Sequence, residues 1–202
     1  RDAATGAYYN SVAAWALEQP VQWYDKRRLV PFGEFFPVPQ AVREWLRLMN
    51  LPYSDFEPGR ADPASLRAAG ETFAPTICYE DAYGSEQLGL ARQSTLLVNV
   101  TNDAWFGNST APHQHLDISR MRALESGRAM LRATNDGVTA LIEHDGSLLG
   151  TLPQFQPGVL TGEVQPRTGR TPYVRFGNWP ILAVLWLALA VIVVSCRRSS
   201  RR

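Results

Sequence analysis

The chain has 202 residues, 45% of them hydrophobic, and a formal net charge of +1, enough for one packed domain and an appendage. Arg197, Arg198, Arg201 and Arg202 crowd the last six positions, so the other 196 residues carry 16 basic against 19 acidic groups. That mildly acidic body argues against a nucleic-acid footprint, and two distant cysteines, Cys78 and Cys196, argue against a disulfide framework.

Arg1-Asp2-Ala3-Ala4 opens the chain without an initiator Met or a signal peptide, as expected of a segment of a longer protein. Tyr8 to Leu17 mixes apolar and small residues and predicts a buried strand. From Gln22 to Pro37 the chain is dense in aromatics, and Pro31, Gly33 and Pro37 forbid a regular helix there. Irregular aromatic segments of this length tend to carry function. Val42, Trp45, Leu46 and Met49 recur at helical spacing, predicting a short amphipathic helix over Ala41 to Met49. Residues 50–71, rich in Pro and Gly, read as a loop.

From Thr72 the pattern becomes α/β. Phe73 to Cys78 predicts a strand, Ser85 to Gln93 a helix, and Thr95 to Val100 a buried strand. Residues 101–107 (TNDAWFG) form a loop at the carboxyl end of that strand, where α/β proteins place ligands. A long helix is expected from Pro112 to about Ala133, capped by Ser109 or Thr110, with Leu116, Met121, Leu124 and Leu131 facing the core. Gly137 to Ile142 and Val159 to Val164 predict strands, with a turn at His144-Asp145-Gly146 and a short extension from Leu148 to Leu152. Trp179 to Cys196 holds 18 residues without a charge, followed by the arginines. This matches a transmembrane helix anchored by Trp179, with its basic tail (197–202) in the cytoplasm and the 1–178 domain across the membrane.

Two residues stand out chemically. Cys78 ends an apolar strand and is followed by Tyr79, Glu80 and Asp81. A single cysteine is most often a buried structural residue, but this polar strand end suits a nucleophile, which needs a nearby cation to lower its pKa. Lys26 is the one lysine among 20 basic residues. In a chain that otherwise uses Arg, the one amine either survives by chance or is kept because a compact charge must meet a reacting atom there. His113 and His115 lie two apart and face different sides of a helix, so no metal cluster is expected. The proton acceptor for the thiol is then a carboxylate: Glu34, Glu80, Asp81, or one outside this sequence.

Tyr24-x-Lys26-x-x-Leu29-Val30-Pro31-Phe32-Gly33-Glu34-x-x-Pro37, Ile77-Cys78-Tyr79-Glu80 and Asn102-Asp103-Ala104-Trp105-Phe106-Gly107 together resemble the carbon-nitrogen hydrolase (nitrilase) superfamily. Within it they are most similar to the bacterial apolipoprotein N-acyltransferases. Pro112-His113-Gln114-His115-Leu116, the run from Arg120 to Glu125, Thr134-Asn135-x-Gly137-Val138-Thr139 and the terminal apolar segment extend the likeness over nearly the whole chain. The resemblance implies part of a four-layer α-β-β-α sandwich followed by one transmembrane helix. It implies a Glu-Lys-Cys triad without metal or cofactor, in which Cys78 matches the nucleophile and Lys26 the lysine.

Glu34, Tyr79 and Glu80 match positions the family uses around its site, with Glu80 set to orient Lys26 or act as a second acid or base. Trp105, Phe106 and the Phe32 to Phe36 loop are apolar enough to line an acyl-chain groove at the bilayer surface, the alternative for each being plain core packing. The triad glutamate has no match here, since Glu18 lies too close to Lys26. The implied reaction moves an acyl chain from a phospholipid to a diacylglyceryl-apolipoprotein at the bacterial inner membrane, with the catalytic domain on the periplasmic face. A small-amide hydrolase and a non-catalytic membrane-anchored module are the competing readings.

Overall fold

A computed structural model describes residues 6–17, 19–39, 42 and 56–199. β1 (Ser11–Ala14) and β2 (Gln22–Asp25) form an antiparallel ribbon. Six further strands lie side by side in sequence order in one sheet: β3 (Leu66–Ala68), β4 (Glu71–Ile77), β5 (Leu96–Asn102), β6 (Met130–Asn135), β7 (Ala140–Ile142) and β8 (Leu148–Thr151). The central pairs β4-β5 and β5-β6 are parallel, and the outer pairs are antiparallel. Parallel neighbours need crossovers, supplied by α1 (Gly84–Ala91) and α2 (Ala111–Ser126).

Four successive residues of β4, Ala74 to Ile77, are buried, so the strand is covered on both faces. The ribbon touches β3 and β4, while α1 and α2 pack on β4 and β6. Tyr24 of the ribbon joins Ala74, Ile77, Leu97, Leu116 and Met130 in one core. The carboxyl ends of β4, β5 and β6 therefore open on the same edge, the edge that α/β sheets use for chemistry.

Several expectations are corrected. The long helix stops at Ser126 rather than Ala133, because Gly127 turns left-handed (φ 66°) and its N–H and that of Arg128 return to Leu124 and Ala123 carbonyls. Residues 130–135 are instead the strand β6, paired in register from Leu97↔Met130 to Asn102↔Asn135. Of the expected helical stripe only Leu116 is buried; Met121 and Leu124 are exposed, and Leu131 belongs to β6. The strand expected over 137–142 shortens to Ala140–Ile142, and Val159 to Val164 runs without ladder pairing.

The aromatic segment from Gln22 begins as a strand, and the loop before Thr72 contains β3, which Gln22 clasps through both backbone groups of Arg67. β1 alternates exposed and half-buried residues, so it is no buried strand. The helix expected at Ala41 to Met49 lies outside the described residues, Val42 apart.

At the far end, α3 (Pro172–Phe176) is capped by Thr171, whose hydroxyl accepts from Val174 N, and is pinned by the fully buried Val174 and by Arg92 Nε donating to its carbonyl. Gly177 (φ 57°) and Asn178 then lead into α4 (Trp179–Ser199), whose apolar side chains are exposed from end to end and which is long enough to cross a membrane.

Candidate active site

β4 delivers its chain to Cys78, and the strand turns at once into a 3-10 turn over Cys78–Ala82. Cys78 itself has φ 55°, a left-handed conformation that a non-glycine residue holds only under constraint, at about 1–3 kcal/mol. A sharp strand-to-turn corner of this kind is how nucleophiles are presented above a sheet.

Cys78, Lys26, Glu34, Tyr79, Trp105 and Phe106 line one cleft of about 910 Å³. Lys26 is 1% exposed, and its ammonium donates to Glu34 Oε1 at 2.8 Å and lies 5.3 Å from the centre of the Tyr79 ring. Its backbone is held at both ends, by Asn10 O (2.8 Å) and by the N–H of Gly59 (2.8 Å). A side chain at Gly59 would collide with the Asp25 carbonyl, 2.2 Å from where its Cβ would sit. Glu34 is fully engaged. Oε1 also accepts from Asn10 Nδ2 and Oε2 from Val30 N, each at 2.8 Å. The pair is thus a fixed cation in the wall of the cleft that Cys78 also lines.

The three residues after Cys78 diverge. Tyr79 stays in the cleft wall, its hydroxyl donating to Leu29 O at 2.9 Å. Burial, then Tyr83 beside it, pushes its pKa up to about 12. Glu80 is buried and takes four hydrogen bonds: Arg27 N (2.7 Å) and Arg28 N (3.1 Å) on Oε1, Tyr24 hydroxyl (3.0 Å) and Ile77 N (2.8 Å) on Oε2. It lashes the Lys26 strand end to the Cys78 turn through backbone, beneath the cleft. Burial, then the charge of Glu80, drives the Tyr24 phenol far above its ordinary pKa.

Asp81, one of the carboxylates open for the base role, points the other way and is fully buried. It accepts from Ser119 Oγ and from His115 Nε2 (3.1 Å). His115 Nδ1 reaches Asp103 (2.9 Å), and Arg132 donates to Asp103 (3.0 Å), Ser119 (2.8 Å) and Asn99 (2.7 Å). Burial opposes charge on His115, but its bonds to Asp103 and Asp81 outweigh it and lift the pKa to about 9. Two carboxylates thus face a guanidinium and an imidazolium, a balanced, closed cluster.

Sequence reasoning passed over this cluster because its members come from four elements. The signal it left is Asn99, a lone polar residue inside the apolar run of β5. Among the described residues no group of three or more His, Cys, Asp or Glu is arranged to hold a metal.

The chain is 48% identical over 187 residues to an apolipoprotein N-acyltransferase of Azotobacter vinelandii, covering 92% of this chain and 36% of that one. It is 46% identical over 189 residues to that of Nitrosomonas europaea, covering 94% and 38%. The chain therefore spans little more than a third of the length of these curated relatives. Among solved structures it resembles the C. elegans NitFhit protein (TM-score 0.56, 12% identity, 76% of this chain and 37% of that one) and a carbon-nitrogen hydrolase from Helicobacter pylori (TM-score 0.53, 14%, 75% and 55%). The carbon-nitrogen hydrolase model matches residues 1–173, and the chain belongs to that family.

Proposed function

We propose that this chain forms part of an acyltransferase that moves a fatty acyl chain from a phospholipid to the amine of the diacylglyceryl-cysteine of an apolipoprotein. The observation that carries the reading is the cleft. A strained strand-end cysteine shares it with a buried ammonium, and exposed Trp105 and Phe106 line its rim. The name of the relatives and the apolar α4 support a lipid substrate over a small amide.

In this mechanism the Cys78 thiolate attacks the ester carbonyl of the donor. Lys26 and the backbone N–H of Tyr79 hold the developing oxyanion, each such donor being worth about 3–4 kcal/mol. The ester C–O bond breaks, the lysophospholipid leaves with a proton, and the acyl group stays on Cys78 as a thioester. The acceptor amine then attacks, the C–S bond breaks, and an amide forms as the thiol is restored. Glu34 orients Lys26, Glu80 positions the Lys26 strand end, and the thiol's proton goes to a further carboxylate, the counterpart of the family's triad glutamate. The aromatic rim takes the acyl chain. The protein sits in the bacterial inner membrane with this domain on the periplasmic face and the arginine tail in the cytoplasm.

The test is to incubate the intact protein with a phospholipid carrying a labelled acyl chain. Hydroxylamine-sensitive label on wild type, absent from Cys78→Ala, is expected. Unlabelled wild type that nonetheless hydrolyses small amides would transfer the site to the amidase reading.

A further inference from the structure

β5 reads Leu96-Leu97-Val98-Asn99-Val100-Thr101-Asn102, and its middle residue is a fully buried amide. An apolar side chain would fill the position without desolvating a polar group, so the amide is explained by what it holds. Asn99 lies opposite Thr76 in the parallel register. Its Nδ2 donates to Thr76 Oγ1 at 3.0 Å and to the Cys78 carbonyl at 3.1 Å. Its Oδ1 accepts from Arg132 Nη1 at 2.7 Å. Arg132 is in turn fixed by Asp103 and by Ser119, which donates to Asp81.

Asp81 belongs to the same turn as Cys78, three residues on. The chain of bonds therefore closes on itself: Cys78 carbonyl, Asn99, Arg132, Ser119, Asp81, and back along the turn. Both ends of the corner that carries the thiol are gripped from inside the sheet.

We propose that Asn99, backed by the Arg132 cluster, is a positioning residue that holds Cys78 in its left-handed conformation and so aims the thiol at the cleft. An unheld carbonyl would let residue 78 relax towards an ordinary backbone conformation, swinging Sγ off line. The cluster is closed and charge-balanced, which suits it to bracing rather than to proton transfer.

The inference rests on the acyl-transfer reading for one of its two readouts only. In the intact protein, Asn99→Leu and Asn99→Asp are compared with Arg128→Met. That control strips a buried arginine whose bonds to Ser94, Ser126 and Gly169 lie at the other end of the sheet. Acyl-enzyme formation should fall roughly 10–100-fold in the Asn99 variants with KM for the phospholipid within about 2-fold, the loss expected when a constraint of this size is released.

Alkylation of Cys78 by iodoacetamide, which needs no acyl donor, should slow in the Asn99 variants alone. Wild type that alkylates but never forms an acyl-enzyme overturns the acyl-transfer reading and leaves the brace to the alkylation comparison. Asn99 variants that match wild type in alkylation, or lose activity only as far as Arg128→Met does, overturn the brace. So does a result in which neither Asn99 variant folds while Arg128→Met does, since the role is then structural alone.

Discussion

Two buried sets of charges flank the Cys78 turn, and they differ in how they are finished. The Lys26–Glu34 pair has one cation, one carboxylate and a side open to the cleft. The cluster of Asp81, Asp103, His115 and Arg132 has matched charges and no open side. Burial alone does not tell chemistry from scaffolding. What separates the two is whether a hydrogen-bonding position is left for something that is not protein.

The comparison can be broken at its closed side first. Arg132→Met leaves two buried carboxylates with the imidazolium as their remaining cation. Losing one partner of such a set costs about 3–5 kcal/mol, which lowers Tm. Thermal unfolding of the intact protein reads this, and an unchanged Tm would show the cluster to be idle.

On the open side the expected loss is in rate rather than stability. Lys26→Arg keeps the charge, yet a planar guanidinium cannot stand where a compact ammonium meets an oxyanion. Acyl-enzyme formation should fall about 10²–10³-fold with little change in Tm; turnover near wild type would end the role given to Lys26.

Glu80→Gln probes the join between the two regions. The amide turns one acceptor oxygen into a donor facing donors, at a cost of about 1–3 kcal/mol. Stability and acylation should drop together, because the Lys26 strand end and the Cys78 turn separate. A drop in one alone would assign Glu80 to one side.

The smallest effect is a slope in pH. The folded-state pKa of His115 is raised, to about 9, above its ordinary value near 6.5. Its contribution is therefore fully present below pH 6.5 and fades as pH rises through 9. Tm measured from pH 6.5 to 9.5 should decline in wild type and decline less in His115→Gln; parallel curves would remove His115 from the account.

What the residues disclosed before the fold was known follows a pattern. Cys78 at an apolar strand end and the solitary Lys26 were legible because each breaks a local rule, and the membrane-length apolar helix because it obeys one. The helix end was misplaced because the stop at Gly127 depends on a left-handed backbone that an otherwise helical pattern hides. Val159 to Val164 has strand-like residues but no ladder partner to pair with, which composition does not reveal. His113 and His115 were separated correctly, one exposed and one buried. The partners of His115 lie 34 and 12 residues away, beyond the reach of any spacing argument. Asp81 and Glu80, adjacent in sequence, pointed to opposite regions only once the turn was in place.

The junction of α3 and α4 has a mechanical consequence. Only Gly177 and Asn178 separate the helix pinned by Val174 from the helix of membrane length. Two residues reach no more than about 7 Å, so a bilayer around α4 would hold the domain on a very short leash. The domain could pivot at Gly177 but not wander, and its height above the lipid would be fixed to within a water layer or two. Lengthening that leash with a flexible insert is then a way to vary how often the cleft meets the membrane without altering one atom inside it.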